Sequence, residues 1–336
     1  MKETIYDVVG IGNAIVDVLA KVGDNFLTER NLCKGKMTLM DAADAGKIYT
    51  DIMPERQVSG GSAANTVAGL ASLGADCAFI GKVHDDELGK LFQRDIGAAG
   101  IDFFTHPLAE GAATGRSIVL VTPDAERSMF TYLGAARSLT VNDLDEKIIG
   151  EAKITFIEGY LWDEPQEHST ILTACEMAHL HHREVAFSVS DTSCIQKHRE
   201  KMLKLIADKV NILFANEEEL KTLMQTDNFE YALDAVKHLV NIAAITRDCH
   251  GSVVVHGREK IFVEAENITN VIDTTGAGDL YAAGFLYGLV NQRSLGTCAT
   301  IGGITAAEII THYGARPEIS LRGLVRHKLI EYGKRP

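Results

Sequence analysis

Two glycines and two carboxylates fall within the stretch Asp273-Thr274-Thr275-Gly276-Ala277-Gly278-Asp279. Gly276 and Gly278 let a backbone approach a ligand closely. The free N–H groups at the start of the apolar run that follows, Leu280–Val290, favour an anion, and phosphate above all. A carboxylate at Asp279 would repel that phosphate. One chemistry reconciles the two features: Asp279 takes the proton from a hydroxyl that attacks a phosphate held over Gly276, Ala277 and Gly278. The alternative is that Asp279 only caps its helix. The alternating run Ile261–Val271 predicts a strand before the turn, so the stretch reads as strand, small-residue turn and buried helix.

Other residues are spaced for related work. In the run from Asn13 to Ala20, Asn13 and Asp17 fall on one strand face with Ile15 and Leu19, and an amide beside a carboxylate suits two neighbouring hydroxyls. A solvent-facing polar edge is the plain alternative. Gly60-Gly61 before a small-residue helix makes a hinge, with Ser62 as its N-cap and Asn65 in its first turn, either as a first-turn polar group or as a contact to a substrate hydroxyl. Arg127, after the Pro123-Asp124 turn of a hairpin, is either a surface arginine or a guanidinium able to grip phosphate oxygens in pairs. Asn216 and Glu219 lie three apart where a strand gives way to a helix, the spacing of a capping box and also the strand end where α/β ligand sites lie.

Taken together these strings resemble the ribokinase-like (PfkB) sugar and nucleoside kinases over residues 10 to 317, and the adenosine-kinase branch most of all. The resemblance rests on D-T-T-G-A-G-D with its helix, on G-x-G-N-x-x-x-D from Gly10, on the Gly60-Gly61…Asn65 signature, on T-P-D-A-E-R-S-M around Arg127, and on Asn216-x-x-Glu219. It implies that Asp279 is the catalytic base, that the glycine turn is an anion hole preceded by Thr274 and Thr275, and that Arg127 reaches the phosphates. It implies that Asn13, Asp17, Gly60, Gly61 and Asn65 hold a sugar, and that Asn216 and Glu219 order water around Mg²⁺. Thr246-Arg247-Asp248-Cys249-His250-Gly251 is similar to the family's nucleotide-side turn, with Thr246, Arg247 and Gly251 toward ATP and Asp248 where the family has its first glycine. The end near Tyr313–Pro317 is expected beside the nucleotide base and a loop for a monovalent cation such as K⁺. Met37, Leu39, Met129, Leu133 and Tyr160 are apolar enough to sandwich a purine, although Ser193 stands where similar adenosine kinases carry a phenylalanine. ATP and a small-molecule acceptor are therefore the expected ligands: adenosine first, another nucleoside or a sugar such as ribose or fructose second. A non-catalytic binding protein of this fold is the remaining alternative, and a binder has no need of a base beside an anion hole.

The elements must bring these residues together. Alternating strands and helices from residue 150 onward (strands 153–158, 185–190 and 211–214; helices 166–182, 198–207 and 217–224) predict a parallel sheet covered on both faces. The expectation is one α/β domain over 1–336, a ribokinase-like three-layer sandwich. A small β-rich lid is drawn from about 13–45 and 102–133, and the nucleotide side lies within about 210–320. With 336 residues, 46% of them hydrophobic, the chain can bury such a core. A net charge of −13 argues against nucleic acid or an anionic membrane as partner. Six scattered cysteines without a C-x-x-C pair fit a reduced, cytoplasmic protein, monomer or dimer, and no signal peptide is expected ahead of the first strand. His179, His181 and His182 read as a solvated helix end rather than a metal cluster. The P-loop and protein-kinase motifs are absent.

Overall fold

The computed structural model describes residues 4–124, 126–163 and 165–334, so Ala125 of the hairpin string lies outside the described residues. In chain order the elements are β1 (Tyr6–Ile11), β2 (Ile15–Lys21), α1 (Asp24–Glu29), β3 (Met37–Leu39), α2 (Ala42–Asp51), β4 (Arg56–Gly60), α3 (Ser62–Leu73), β5 (Cys77–Ile80), α4 (Glu87–Ala98), β6 (Ile101–Phe103), β7 (Gly115–Val121) and β8 (Arg127–Tyr132). There follow α5 (Glu146–Gly150), β9 (Ala152–Glu158), α6 (Pro165–Leu180), β10 (Glu184–Ser188), α7 (Thr192–Lys209), β11 (Ile212–Asn216), α8 (Glu217–Met224), α9 (Phe229–Val236) and β12 (Ile242–Thr246). The chain closes with β13 (Ser252–His256), β14 (Glu259–Val263), α10 (Ala277–Val290), α11 (Leu295–Ile309) and α12 (Leu321–Glu331).

Nine strands form the main sheet in the order β14-β13-β12-β11-β10-β9-β1-β5-β6, parallel from β12 to β6 and antiparallel at the β12–β13–β14 end. Its central strands are near-continuous apolar runs because both faces are covered. Alternate residues divide between two cores: Val8 and Phe156 pack under α3, α10 and α11, whereas Val9 and Ile157 pack under α6, α7 and α8. This is the three-layer α/β sandwich expected from the strand–helix alternation.

A second, five-stranded sheet in the order β3-β8-β7-β2-β4 lies against the first core. On β2 the alternation is as read from the sequence, with Val16, Val18 and Ala20 buried and Asp17 on the opposite face. Its edge partner β4, which pairs Ile15 with Gly60, carries no clear strand signal in its sequence, so the small sheet extends beyond the segments expected for it.

Two further expectations are corrected. The run Ile261–Val271 is not one strand. β14 ends at Val263, and residues 264–276 form an irregular wall along the cavity described below. The helix expected at 198–207 begins at Thr192, where the Asp191 side chain accepts from the Cys194 amide as an N-cap.

Candidate active site

At the carboxyl ends of the parallel strands lies a cavity of about 720 Å³, where open α/β sheets place their ligand sites. Its floor is the turn Thr274–Gly278 and the start of α10. Gly276 is left-handed (φ 81°) and packs so closely on Ala315 that a side chain has no room, which explains glycine there. Gly278 has open space where a side chain would stand, so a ligand can approach the turn's N–H groups.

Asp279 faces this cavity. The Ser62 hydroxyl donates to its Oδ1 (2.6 Å) and the Asn65 amide donates to its Oδ2 (2.9 Å). Burial pushes its carboxyl up to about 6, against the pull of these two donors and of the Arg316 charge. The group is thus an ionised acceptor at neutral pH that is basic enough to take a proton, as a general base requires. It is not the cap of α10: Gly276 occupies the N-cap position. Ser62 is corrected likewise. Gly61 caps α3, Ser62 is the first helical residue, and its hydroxyl is spent on Asp279.

The sugar-side residues divide. Asp17, Gly61 and Asn65 line the cavity, together with Ile15 and Ser117. Asp17 lies directly over Gly60, too close for any side chain there, and burial raises its carboxyl to about 6 despite the Arg316 and Arg127 charges. Gly61 (φ 105°) abuts the Asn13 carbonyl, so only glycine fits the start of α3. Asn65 Oδ1 is a buried acceptor without a partner, while the amide nitrogen of the same side chain is spent on Asp279. Asn13 and Gly60 are not among the cavity-lining residues. Asn13 stands behind the wall, its backbone and side-chain N–H groups donating to Glu158 Oε1 (2.9 and 2.8 Å). Glu158, buried and raised to about 7 by desolvation, also accepts from the Ala63 amide and so ties the β1–β2 connection to α3.

The apolar sandwich expected for a purine is only partly assembled. Met129 and Tyr160 line the cavity, but Met37 and Leu39 are 45% and 50% exposed on β3, and Leu133 lies outside the lining. Hydrophobicity alone groups these residues. In fact β3 is the outer edge of the small sheet and presents Met37 and Leu39 to solvent.

On the other side, Asn216, Glu219, Thr246 and Gly251 line the cavity with Thr274 and Thr275. Asn216 and Glu219 form a full capping box, and both Glu219 oxygens accept from Asn216 at 2.8 Å. Burial raises Glu219 to about 7. Asp248 is left-handed (φ 47°), a conformation glycine supplies freely and aspartate tolerates, which accounts for its place in the turn. Arg247 is corrected: it turns away from the cavity to Glu217 (2.9 Å) and over the Phe229 ring. Among the described residues no group of His, Cys, Asp or Glu is built to hold a metal ion. A single satisfied carboxylate at Glu219 fits Mg²⁺ held through water and phosphate oxygens, the ion's usual manner with nucleotides.

Arg127 meets the anion turn from the small sheet. It donates to the Thr275 hydroxyl (2.9 Å) and is ion-paired with Asp273, a nearly buried pair. Asp273 also accepts from the Thr275 and Gly314 amides, and so ties the turn to the loop after α11. Sequence spacing gives Glu158 and Arg316 no role at the site and gives Ser62 only that of an N-cap. Arg316 donates to the Ser59 and Ala64 carbonyls and to the Ser59 hydroxyl. No local motif marks these contacts, which join residues 95 to 257 positions apart.

Residues 41–321 match the pfkB family of carbohydrate kinases. An adenosine kinase from Sinorhizobium meliloti superposes with a TM-score of 0.89 at 45% identity, covering 96% of this chain and 99% of that one. A probable sugar kinase from Rhizobium etli CFN 42 superposes with a TM-score of 0.90 at 42% identity, covering 98% and 99%. A curated relative, the 5-dehydro-2-deoxygluconokinase of Geobacillus kaustophilus (strain HTA426), is 27% identical over 286 residues, covering 82% of this chain and 85% of its own length.

Proposed function

The chain belongs to the pfkB family of carbohydrate kinases, and from that premise we propose that it transfers the γ-phosphoryl group of ATP to the 5′-hydroxyl of a nucleoside, adenosine in the first place. The observation that carries the phosphotransfer reading is Asp279, a carboxylate raised to about 6 and held by Ser62 and Asn65 one residue beyond an open glycine turn. The hydroxyl oxygen attacks the γ-phosphorus, the bond to the β–γ bridging oxygen breaks, ADP leaves, and the hydroxyl proton passes to Asp279. The N–H groups of Gly276–Gly278 and the Arg127 guanidinium offset charge on the transferring group. Asp17, with Gly61 and Asn65 beside it in the cavity wall, accepts from sugar hydroxyls, which fixes the attacking oxygen near the base. Mg²⁺ bound with ATP would neutralise phosphate charge beside Glu219.

The nucleoside assignment draws on the 45% identity to the Sinorhizobium adenosine kinase and on Ile15, Met129 and Tyr160 beside Asp17 in one cavity. A sugar acid or free sugar is the second reading. It is favoured by the curated 5-dehydro-2-deoxygluconokinase relatives and by the absence of Met37, Leu39 and Leu133 from the cavity wall. The test is a coupled ADP-release assay with Mg·ATP and adenosine, other ribonucleosides, ribose, fructose and 5-dehydro-2-deoxygluconate. Adenosine is expected to be converted to AMP with kcat/KM at least ten-fold above any free sugar. A free sugar or sugar acid that exceeds adenosine overturns the nucleoside assignment, and no ADP release with any acceptor overturns the kinase reading.

A further inference from the structure

Arg316 belongs to the loop after α11, yet its guanidinium reaches under the segment that joins β4 to α3. Nε donates to the Ser59 carbonyl (2.8 Å), one terminal nitrogen to the Ala64 carbonyl (2.7 Å), and the other to the Ser59 hydroxyl (2.9 Å). Ser59 is also held by Asp95 of α4, which accepts from its amide and hydroxyl at 2.7 and 2.6 Å. The guanidinium therefore grips both ends of residues 59–64. The same short segment carries Gly60, against which Asp17 packs, and Ser62, whose hydroxyl holds Asp279; Asn65, the second donor to Asp279, is the next residue.

All three acceptors of Arg316 are neutral, so its charge is left to act over a longer range. Desolvation lowers the guanidinium to about 10, so it remains charged at neutral pH. The carboxylates facing it are Asp17 from β2, Asp95 from α4 and Asp279 from α10, and the nearby cation Arg56 opposes it from β4. Arg56 is itself paired with Glu318 at 3.5 Å. Glu158 and Tyr160 face Asp279 from their own side, and Asp273 and Arg127 face Asp17.

We propose that Arg316 is a positioning residue for the base: its planar fork fixes the 59–64 segment that presents Ser62 and Asn65 to Asp279, and its charge is the shared counter-ion that keeps Asp279 and Asp17 ionised together. Two carboxylates that face one enclosed space oppose each other's ionisation, and a fixed cation behind both relieves that opposition. Lysine can supply the charge but not the fork, because a single ammonium cannot span two carbonyls in a plane. Glutamine can supply part of the hydrogen bonding but not the charge. The two roles are therefore separable by substitution.

The inference rests on the kinase reading for its meaning, but not for its measurement. The Asp279 carboxyl is titrated by ¹³C NMR in selectively labelled wild type, Arg316→Gln and Arg316→Lys, with the resonance assigned through Asp279→Asn, and the kcat–pH profile is recorded alongside. In Arg316→Gln the Asp279 midpoint is expected to move up by about one pH unit or more, and the acid limb of kcat moves with it, so activity lost at pH 7 is partly regained at pH 8.5. In Arg316→Lys the midpoint stays near that of the wild type while kcat falls about ten-fold. A folded Arg316→Gln with an unmoved Asp279 midpoint overturns the counter-ion role, and a folded Arg316→Lys with unchanged kcat overturns the positioning role. If Arg316→Gln does not fold, the lysine variant still decides the second point, and titration of wild-type Asp279 decides the first: a midpoint of 8 or above contradicts a working counter-ion. A wild type that phosphorylates nothing overturns the kinase reading alone, because the NMR titration reads the charge coupling without turnover.

Discussion

Asp279 carries a stability cost along with its proposed role as base. Asp17 and Asp279 stand at about 6 against an ordinary 3.8, and Glu158 and Glu219 at about 7 against an ordinary 4.5, all raised chiefly by burial. A carboxyl raised on folding contributes stability in its protonated form. That contribution is full below the unfolded value and is lost as pH climbs through the folded one, here between about pH 4 and 7. The unliganded protein is therefore expected to melt at a higher temperature at pH 5.5 than at pH 8, as read by calorimetry. Asp279→Asn should raise Tm at pH 8 by about 2 °C or more, because it removes the buried charge. Asn65 can turn its partnerless Oδ1 toward the new amide. The same variant should lose at least ~10²-fold in kcat while binding both substrates. A variant that is less stable at pH 8, or that retains near-normal turnover, contradicts the assignment of Asp279 as a buried general base. The glycine turn and Asp279 were legible as one unit because they are neighbours in sequence as well as in space. Ser62, Glu158 and Arg316 were not, because each acts on a residue more than ninety positions away, and in sequence each is an ordinary polar residue.

Among the elements, α8 separates two roles that sequence spacing cannot. Asn216 and Glu219 form the reciprocal capping box, and Glu219 also lines the cavity. Glu219→Gln keeps an acceptor for the Asn216 amide and leaves the cap largely in place, whereas Glu219→Ala removes it, at about 1 kcal/mol. If Glu219 also orders water around Mg²⁺, both variants should raise the Mg²⁺ concentration needed for half-maximal rate, but only the alanine variant should lower Tm. Unchanged Mg²⁺ dependence in Glu219→Gln would leave the capping box as its only role. α8 matched its expected bounds, residues 217 to 224, because its start signal, Asn216 with Glu219, and its apolar spacing are local in sequence. β4 and the 264–276 wall were not legible for the opposite reason. Arg56-Gln57-Val58-Ser59-Gly60 has no clean alternation and becomes a strand only because β2 pairs with it. The Ile261–Val271 alternation continues past Val263, where β14 leaves its pairing with β13 and the chain turns to line the cavity. In both cases tertiary partners decide what local pattern leaves open.

At the scale of the whole molecule, Arg127 is the side chain that joins the small sheet to the anion-binding turn of the main body. Its partners, Asp273 and Thr275, belong to the anion-binding turn, and its ion pair with Asp273 is almost fully desolvated, with side chains 12% and 3% exposed. Such a pair presents two explanations for any loss of activity on mutation. Breaking a buried pair from one side leaves an uncompensated charge and costs about 3–5 kcal/mol, whereas losing a donor to the transferring phosphoryl group costs about 10²–10³ in kcat. A second substitution distinguishes them. Arg127→Ala should lower both Tm and kcat. Arg127→Ala with Asp273→Asn removes the stranded carboxylate and retains an acceptor for the Thr275 or Gly314 amide, so it should regain most of the lost Tm. If Arg127 meets the phosphates during transfer, kcat should remain depressed about 10²-fold in the double variant, with the KM for the acceptor little changed, since Asp17, Gly61 and Asn65 are untouched. Recovery of kcat together with Tm would mean that the arginine serves only to fasten the small sheet onto the turn.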